Sequence, residues 1–207
     1  MSASLQIRSS EKTDLANYKQ LLNDHSKQSM LVRLMITSDG SNAHDIRKIL
    51  EELHHFPNLR ELIVSGPIGG NTLPKLPESL RVLSLKSVSD LKNIVNLPAS
   101  LHRIVIEDTP NLVSLCDEFP KRFEHLTELV LSGCKSLPET QLLKILKDSQ
   151  SPCLRDVDLS DCQLLTRLPD PFSRSVERLI VSRCTRLVEL PNKISNHLYR
   201  LDADGCT

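Results

Sequence analysis

The chain has 207 residues, and 26 lysines and arginines balance 26 aspartates and glutamates, so its formal net charge is zero. This balance argues against a nucleic-acid-binding protein, which would carry a basic face. No run of 18 apolar residues occurs, so no membrane-spanning helix is predicted, and residues 1–8 lack the apolar core of a secretory signal. Six cysteines suit a reducing compartment, so we expect an intracellular protein with one elongated domain.

Residues 1–30 are predicted to form an N-terminal helical cap. Leu15, Tyr18, Leu21 and Leu22 fall on one face of a helix over residues 11–23. Such a helix would cover the first strand of the segment that follows, and stacks of repeats need a cap of this kind.

From residue 31 onwards one motif recurs, Leu-x-x-Leu-x-Leu-x-x-Cys, in which other small or apolar residues replace some leucines. We number its nine places in order. Its eight copies begin at Leu31, Leu59, Leu80, Leu101, Leu126, Leu154, Val176 and Leu198. Apolar and polar residues alternate within each copy, which is the period of a β-strand. One such strand cannot bury its apolar side alone, so the copies are predicted to stack in parallel.

Copies spaced by 21 to 28 residues with this leucine pattern are typical of a leucine-rich repeat. The predicted fold class is therefore an α/β leucine-rich-repeat solenoid over residues 31–207. Its concave side would be a parallel sheet of about eight strands, and its convex side would be partly helical and partly irregular.

The segments that return the chain between strands are predicted to be of two kinds. The longer repeats have room for a helix, one over residues 42–56, capped by Ser41 or Asn42, and one beginning at Pro138. The shorter repeats carry Leu-Pro pairs, which favour an extended and irregular return. These pairs are Leu76-Pro77, Leu97-Pro98, Leu168-Pro169 and Leu190-Pro191.

The ninth place of the motif holds Cys134, Cys162, Cys184 and Cys206 in the last four copies. A buried thiol there can donate weakly to a backbone carbonyl that the turn leaves free, which predicts a structural ladder of cysteines. The alternative is a metal or disulfide cluster. Their spacings of 28, 22 and 22 residues are repeat lengths and not the short loops of zinc sites.

Two rows of side chains should face solvent from the concave sheet. The third place is charged in seven copies with mixed signs, so some of these residues should pair with neighbours. The fifth place is apolar in five copies, at Met35, Ile63, Val105, Val130 and Ile180. This row is either a consequence of β-propensity or an exposed apolar binding stripe.

We predict that the concave face binds another protein, with most contacts in its C-terminal half. Interface energy concentrates in Trp, Tyr and Arg; tryptophan is absent, and Tyr199 is the one aromatic residue expected on this face. The predicted protein-binding residues are Arg103, Val130, Asp156, Asp158, Arg178, Ile180, Arg183, Tyr199, Arg200 and Asp202.

The sequence predicts no catalytic, cofactor-binding or metal-binding residues, and therefore no enzyme. Cys116 stands outside the ladder and is followed by two acids, which disfavour a thiolate, while His125 is expected on the convex return. The adjacent His54 and His55 would face apart on a helix. Residues 66–70 are rich in glycine but lack the lysine of a phosphate loop, so a flexible return is expected.

Two families resemble this chain over residues 31–207. Residues 129–138 and 157–169 resemble repeats of plant disease-resistance receptors, and the Leu-Pro-x-x-Leu segments at 76–80 and 97–101 are similar to repeats of secreted bacterial effectors. The resemblance implies a recognition protein, secreted by a bacterium into a host cytoplasm, that binds and inhibits or recruits a host or bacterial protein. The alternative is the substrate-recognition arm of a ubiquitin ligase whose catalytic part is absent from this chain. Neither nucleic acid nor membrane is an expected partner, and self-association through the C-terminal edge of the sheet is a further expectation.

Overall fold

The computed structural model describes residues 3–116, 123–147, 152–191 and 196–206. They form an α/β structure with one sheet, in which nine parallel strands lie in the order of the sequence. The strands are β1 (Ala3–Arg8), β2 (Leu31–Thr37), β3 (Glu61–Ser65), β4 (Val82–Lys86), β5 (Arg103–Glu107), β6 (Glu128–Val130), β7 (Asp156–Asp158), β8 (Arg178–Ile180) and β9 (Arg200–Asp202). Consecutive pairing of parallel strands is the arrangement expected of stacked repeats.

The eight copies of the motif supply β2 to β9, and equal places in successive copies are neighbours. Glu61 pairs with Val82, Val82 with Arg103, and Arg103 with Glu128, all at the third place. The predicted strands and their parallel stacking are therefore confirmed. Since successive side chains of a strand point to opposite faces, this register puts the leucines in one layer and the polar places in another.

The ninth strand, β1, was not predicted. It pairs with β2 through Leu5 and Leu34 and carries a register shift between Ala3 and Ser4. The predicted helix is present as α1 (Lys12–Leu22), and it contacts β1. A short helix, α2 (His25–Met30), leads into β2. A strand, and not a helix, therefore lies along the first predicted strand.

The core is a layer of leucine, isoleucine and valine side chains from the first, fourth and sixth places. Leu126, Leu129 and Leu131 of one copy are completely buried. Burying a side chain of this size contributes roughly 1.5–3 kcal/mol, and the pattern repeats at every copy up to Val181. Near α1 the core includes Tyr18, whose hydroxyl donates to the carbonyl of Ile49 at 3.3 Å.

The return segments are of the two predicted kinds. One helix, α3 (Ala43–Glu51), continues into a 3-10 turn at Leu53–His55, and the other, α4 (Glu139–Leu146), begins directly after Pro138. Asn42 stands at the start of α3, but its side-chain amide donates to the carbonyl of Ser9 at 2.6 Å and does not cap the helix.

The Leu-Pro returns contain no helix within the described ranges. Single parallel bridges join neighbouring return segments, Thr72 to Asn93, Asn93 to Ser114 and Arg167 to Glu189.

The expectation that His54 and His55 face apart was wrong. Their ring centroids lie 4.1 Å from each other. Both side chains are exposed at the end of the helical segment, and the ring of His54 is held 3.0 Å from the carbonyl of Glu51. The side-chain rotamers thus bring the two rings together although adjacent positions on a helix point apart.

Candidate functional site

The face of the sheet opposite the core is the candidate site, and we call it the open face. It consists of the side chains at the second, third, fifth, seventh and eighth places of the copies that form β2 to β9. The second place belongs to this face because of a local irregularity: the carbonyl of Arg81 accepts from both His102 N, at 2.8 Å, and Arg103 N, at 3.1 Å. Two residues thus stand opposite one, as in a bulge, and the side chains of both lie outside the core.

Cation and anion pairs cross the open face from strand to strand. Arg103 lies 2.9 Å from Glu128, and Arg178 lies 3.0 Å from Asp156. The other pairs are Arg33 with Glu61, Lys86 with Glu107, Arg155 with Glu177, Arg183 with Asp161 and, within β9, Arg200 with Asp202. Exposed pairs of this kind contribute between about 0 and 1 kcal/mol each, so they fix side-chain positions more than they stabilise the fold.

All four arginines among the predicted binding residues are held in these pairs. Arg183 is the most firmly held, because its Nε and Nη2 donate to both oxygens of Asp161 at distances between 2.6 and 3.1 Å. Arg178 Nε is buried beside Asp156 without the alignment of a hydrogen bond. Arg200 is held most loosely, with 3.6 Å between Nη2 and Asp202.

The predicted acidic residues also have partners within the chain. Asp158 accepts from the amide of Ser160 at 2.8 Å and from its hydroxyl at 2.6 Å. Asp202 accepts from the hydroxyl of Ser182 at 2.7 Å, and this hydrogen bond lowers the pKa of Asp202. Asp158 thus orders the turn that follows its own strand, β7, and Asp202 orders the turn that follows the neighbouring strand, β8. The sequence analysis did not assign this role to either carboxylate.

The fifth place is less exposed than predicted. Ser84 is 7 % exposed and Val105 is 5 % exposed, whereas Val130 and Ile180 are half-buried. The difference follows from the sheet, where side chains at the same place on both neighbouring strands stand about 4.8 Å away and cover a small residue between them. Tyr199, at the second place, is 74 % exposed and agrees with the prediction that it faces solvent.

Two arginines on the open face were missed by sequence reasoning. Arg60 and Arg81 occupy the second place of adjacent copies and are exposed, and their side chains form no ion pair or hydrogen bond with any described residue. Next in the same row is His102, whose ring stacks on that of His125 with centroids 5.5 Å apart. His125 itself lies in the turn that precedes β6, three residues before Glu128. The signal was the recurrence of a basic residue at the second place.

The cysteine ladder is confirmed as structural. Cys134, Cys162 and Cys184 are fully buried, and Cys206 is partly buried. The thiols of Cys162, Cys184 and Cys206 donate to the carbonyls of Leu131, Leu159 and Val181 at 3.3, 3.1 and 3.1 Å. Burial raises the pKa of the Cys134 thiol to about 12 and that of Cys184 to about 11. Among the described residues, no group of three metal-ligating side chains comes together.

The sequence analysis considered two further segments as possible reactive sites, the glycine-rich return at residues 66–70 and Cys116. Asp90 accepts from the backbone amides of Ile68, Gly69 and Gly70 at 2.7 to 3.1 Å, so its carboxylate orders the glycine-rich return that the sequence predicted to be flexible. Cys116 is partly buried in a cleft of about 320 Å³ on the return side, beside Val95. The acids that follow it, at 117 and 118, lie outside the described residues.

A larger cleft, of about 470 Å³, lies on the return side between α4 and two Leu-Pro returns. Leu143, Lys144, Arg167 and Leu190 are among its lining residues, and Leu190 is 55 % exposed. The described parts of the chain thus have two faces that a partner could contact, the open face and this return side.

Two comparisons with known proteins found no relative of this chain. No protein-family model matches the chain, and no curated protein matches it either. Within the described ranges, none of the helices has the length and apolar character needed to cross a membrane.

Proposed function

We propose that this chain is a non-catalytic leucine-rich-repeat module that binds another protein through the open face of its sheet. The observation that carries the proposal is the combination of an ordered polar face with a few exposed groups that lack internal partners. Arg60, Arg81 and Tyr199 are exposed, and the half-buried Val130 and Ile180 lie on β6 and β8, between β4 and β9 in the sheet. Arginine and tyrosine over a partly apolar centre are the side chains on which interface energy concentrates.

The ion pairs make the open face selective for a partner more than they increase its affinity for that partner. Seven cations are already matched by acids of this chain, so a partner would gain little by replacing those contacts. They do hold the face in one arrangement before a partner arrives, which lowers the entropy lost on binding. The proposed open face is therefore a rigid, selective surface.

The buried thiols support a non-catalytic role for the cysteine ladder. A nucleophilic cysteine needs a thiolate, and burial raises the pKa of Cys134 and Cys184 far above neutrality. We also propose that β1 and α1 together serve as the N-terminal cap, because β1 pairs along the outer side of β2 and α1 contacts β1.

The resemblance to secreted bacterial effectors supplies the cellular setting of the proposal, which is the cytoplasm of a host cell. Its test is a comparison of partners captured from a eukaryotic and from a bacterial cytosol by the same photo-crosslinking variants. Capture of one specific adduct from the eukaryotic extract supports the setting, and capture from the bacterial extract alone contradicts it.

Site-specific photo-crosslinking tests the face that is used. Benzoylphenylalanine replaces Ile63 on the open face in one variant and Val95 on a return segment in the other, since Val95 is 58 % exposed. We expect a discrete adduct from position 63 and none from position 95, and Tyr199→Ala should reduce the adduct at 63. An adduct from position 95 alone would show that the return side binds the partner and would overturn the proposal.

A further inference from the structure

The ion pairs of the open face leave two cations without an acid. Seven cations and seven anions of this face are matched with each other. The charged residues left over are two arginines, Arg60 and Arg81, and three acids, Asp108, Asp158 and Asp204. The face is therefore positive beside β3 and β4 and negative farther along the sheet.

Arg60 and Arg81 lie next to each other, directly before the adjacent strands β3 and β4. The amide of Arg81 donates to the carbonyl of Arg60 at 2.8 Å, so their backbones are about one strand spacing, ~4.8 Å, from each other. Both side chains are exposed at the same place of the motif. Like charges on adjacent strands repel and destabilise the sheet, whereas most other cations of the face have an acid on the next strand.

No acid of the described chain neutralises this pair. Glu61, the acid beside Arg60 in sequence, is bound by Arg33 at 3.2 Å. Glu78, in the turn before β4, is exposed and forms no ion pair with either arginine. Half-buried Val82 lies beside Arg81 and supplies a small apolar surface at the edge of the pair. The two guanidinium groups thus carry up to ten N–H donors that have no acceptor among the described residues.

We propose that Arg60 and Arg81 together bind a carboxylate side chain in an acidic segment of the partner protein. This inference rests on the proposed function and specifies the chemistry of the partner. Guanidinium groups match the two oxygens of a carboxylate, and charge-assisted hydrogen bonds of this type are about twice as strong as neutral ones. A continuous nucleic-acid backbone fits less well, because Asp108, Asp158 and Asp204 would repel it over the remaining strands.

The unmatched acids also locate the acidic segment. An acidic stretch is attracted beside β3 and β4 and repelled beside β7 and β9, where Asp158 and Asp204 stand. The partner therefore binds in one direction along the sheet, with its acidic part over Arg60 and Arg81. Charge complementarity of this kind fixes orientation and excludes other partners.

The test uses a fluorescein-labelled hexaglutamate peptide, with binding to the full chain followed by fluorescence anisotropy at low ionic strength. The test variant is the double change Arg60→Ala and Arg81→Ala. The matched control is Arg155→Ala, which removes an exposed arginine from the same row whose charge is already matched by Glu177. Thermal unfolding of each variant checks that the fold is retained.

We expect the double variant to bind hexaglutamate at least about tenfold more weakly and Arg155→Ala to stay within about twofold of the parent chain. Equal losses in both variants, no binding by the parent chain, or equal binding of hexaglutamine would overturn the proposal. Stronger competition by hexauridylate than by unlabelled hexaglutamate would also overturn it, in favour of a phosphate site. The crosslinking at position 63 uses a chain that retains both arginines and captures a partner of any charge, so it shows separately whether the proposed function holds.

Discussion

Asp161 and Arg183 are joined by three hydrogen bonds although both have a left-handed backbone. They occupy the eighth place of adjacent copies, with φ angles of 59° and 57°. Arg183 Nη2 donates to Asp161 Oδ2 at 2.6 Å, and Nε lies 3.0 Å from the same oxygen. The eighth place is also left-handed at Gly66, Ser87, Asp108, Gly133 and Gly205. The turns after β3 to β9 thus require this conformation, which costs a residue other than glycine roughly 1–2 kcal/mol.

Replacement of Arg183 should therefore reverse the usual order of stability, in which an alanine variant is more stable than a glycine variant. Both Arg183→Ala and Arg183→Gly lose the ion pair, but only glycine removes the strain, so we expect the glycine variant to be more stable by about 1 kcal/mol. Urea unfolding measures the difference. At Arg155, where the backbone is not left-handed, the glycine variant should be the less stable of the two. The explanation fails if the alanine variant is the more stable one at both positions.

Gly66 is the eighth-place residue whose replacement the structure tolerates least. Its φ is +86°, and a Cβ atom there would lie 1.9 Å from the carbonyl oxygen of Ser38. We expect Gly66→Ala to cost about 3 kcal/mol or more in unfolding free energy, because the backbone of β2 must move. Gly40→Ala is the control: its φ is +89°, but the nearest atom, Pro67 Cγ, is 3.8 Å away. That variant should lose only about 1–2 kcal/mol, from strain.

Cys162 should behave as a packed structural residue. Its thiol is fully buried and donates to the carbonyl of Leu131 at 3.3 Å. We expect Cys162→Ser to lose about 1 kcal/mol through burial of a more polar group, and Cys162→Leu to lose about 1–3 kcal/mol through overpacking. Thiol labelling of the native chain gives an independent measure, in which Cys116 and Cys153, both partly exposed, react well before Cys162. Rapid labelling of Cys162 would contradict its burial.

The strands and the core could be predicted because the leucines repeat with the period of a strand and a single register brings them together. Leu129 and Leu131 show this, since both are completely buried on β6 as the alternation requires. β1 was missed although Leu5 and Ile7 alternate with polar residues, because the segment is short and lacks the first leucine of the motif. Its pairing with β2 depends on a contact between segments about 30 residues apart, which local pattern does not reveal.

The open face was predicted less well because its side chains interact across strands. Arg178 and Asp156 share the third place, so their pairing could have been expected from the register. Arg155 and Glu177 pair at the second place. This place reaches the open face because the second-place carbonyls from Arg60 to Glu177 each accept two hydrogen bonds. Without that irregularity a strict alternation would assign the second place to the core. Of this row only Tyr199 was predicted to bind a partner, and Arg60 and Arg81 were overlooked.

The losses of stability caused by Asp158→Ala and Leu159→Ala should differ less than the opposite orientations of the two side chains suggest. Leu159 is fully buried, so Leu159→Ala should lose about 2–5 kcal/mol. An ordinary surface residue would lose about 0.5 kcal/mol or less, but Asp158 accepts two hydrogen bonds from Ser160, so we expect Asp158→Ala to lose about 1 kcal/mol. Asp158→Asn keeps an acceptor oxygen and should lose less. Chemical denaturation of the three variants checks this order, and an equal loss for Leu159→Ala and Asp158→Ala would contradict the assigned orientations.

Asp39 should make the fold sensitive to acid. The pKa of its carboxyl is lowered to about 2, chiefly by hydrogen bonds from the hydroxyl and amide of Ser41 and also from the hydroxyl of Ser9. The ordinary value in an unfolded chain is about 3.9, so between these values the unfolded state binds more protons and stability falls as the pH falls. Asp39→Asn removes this titration. The stability difference between the parent chain and the variant should be constant above about pH 5 and should shrink towards pH 2. Urea unfolding across this range measures it, with Glu78→Gln as an exposed control, and a difference that stays constant down to pH 2 would show that Asp39 is not held by these hydrogen bonds.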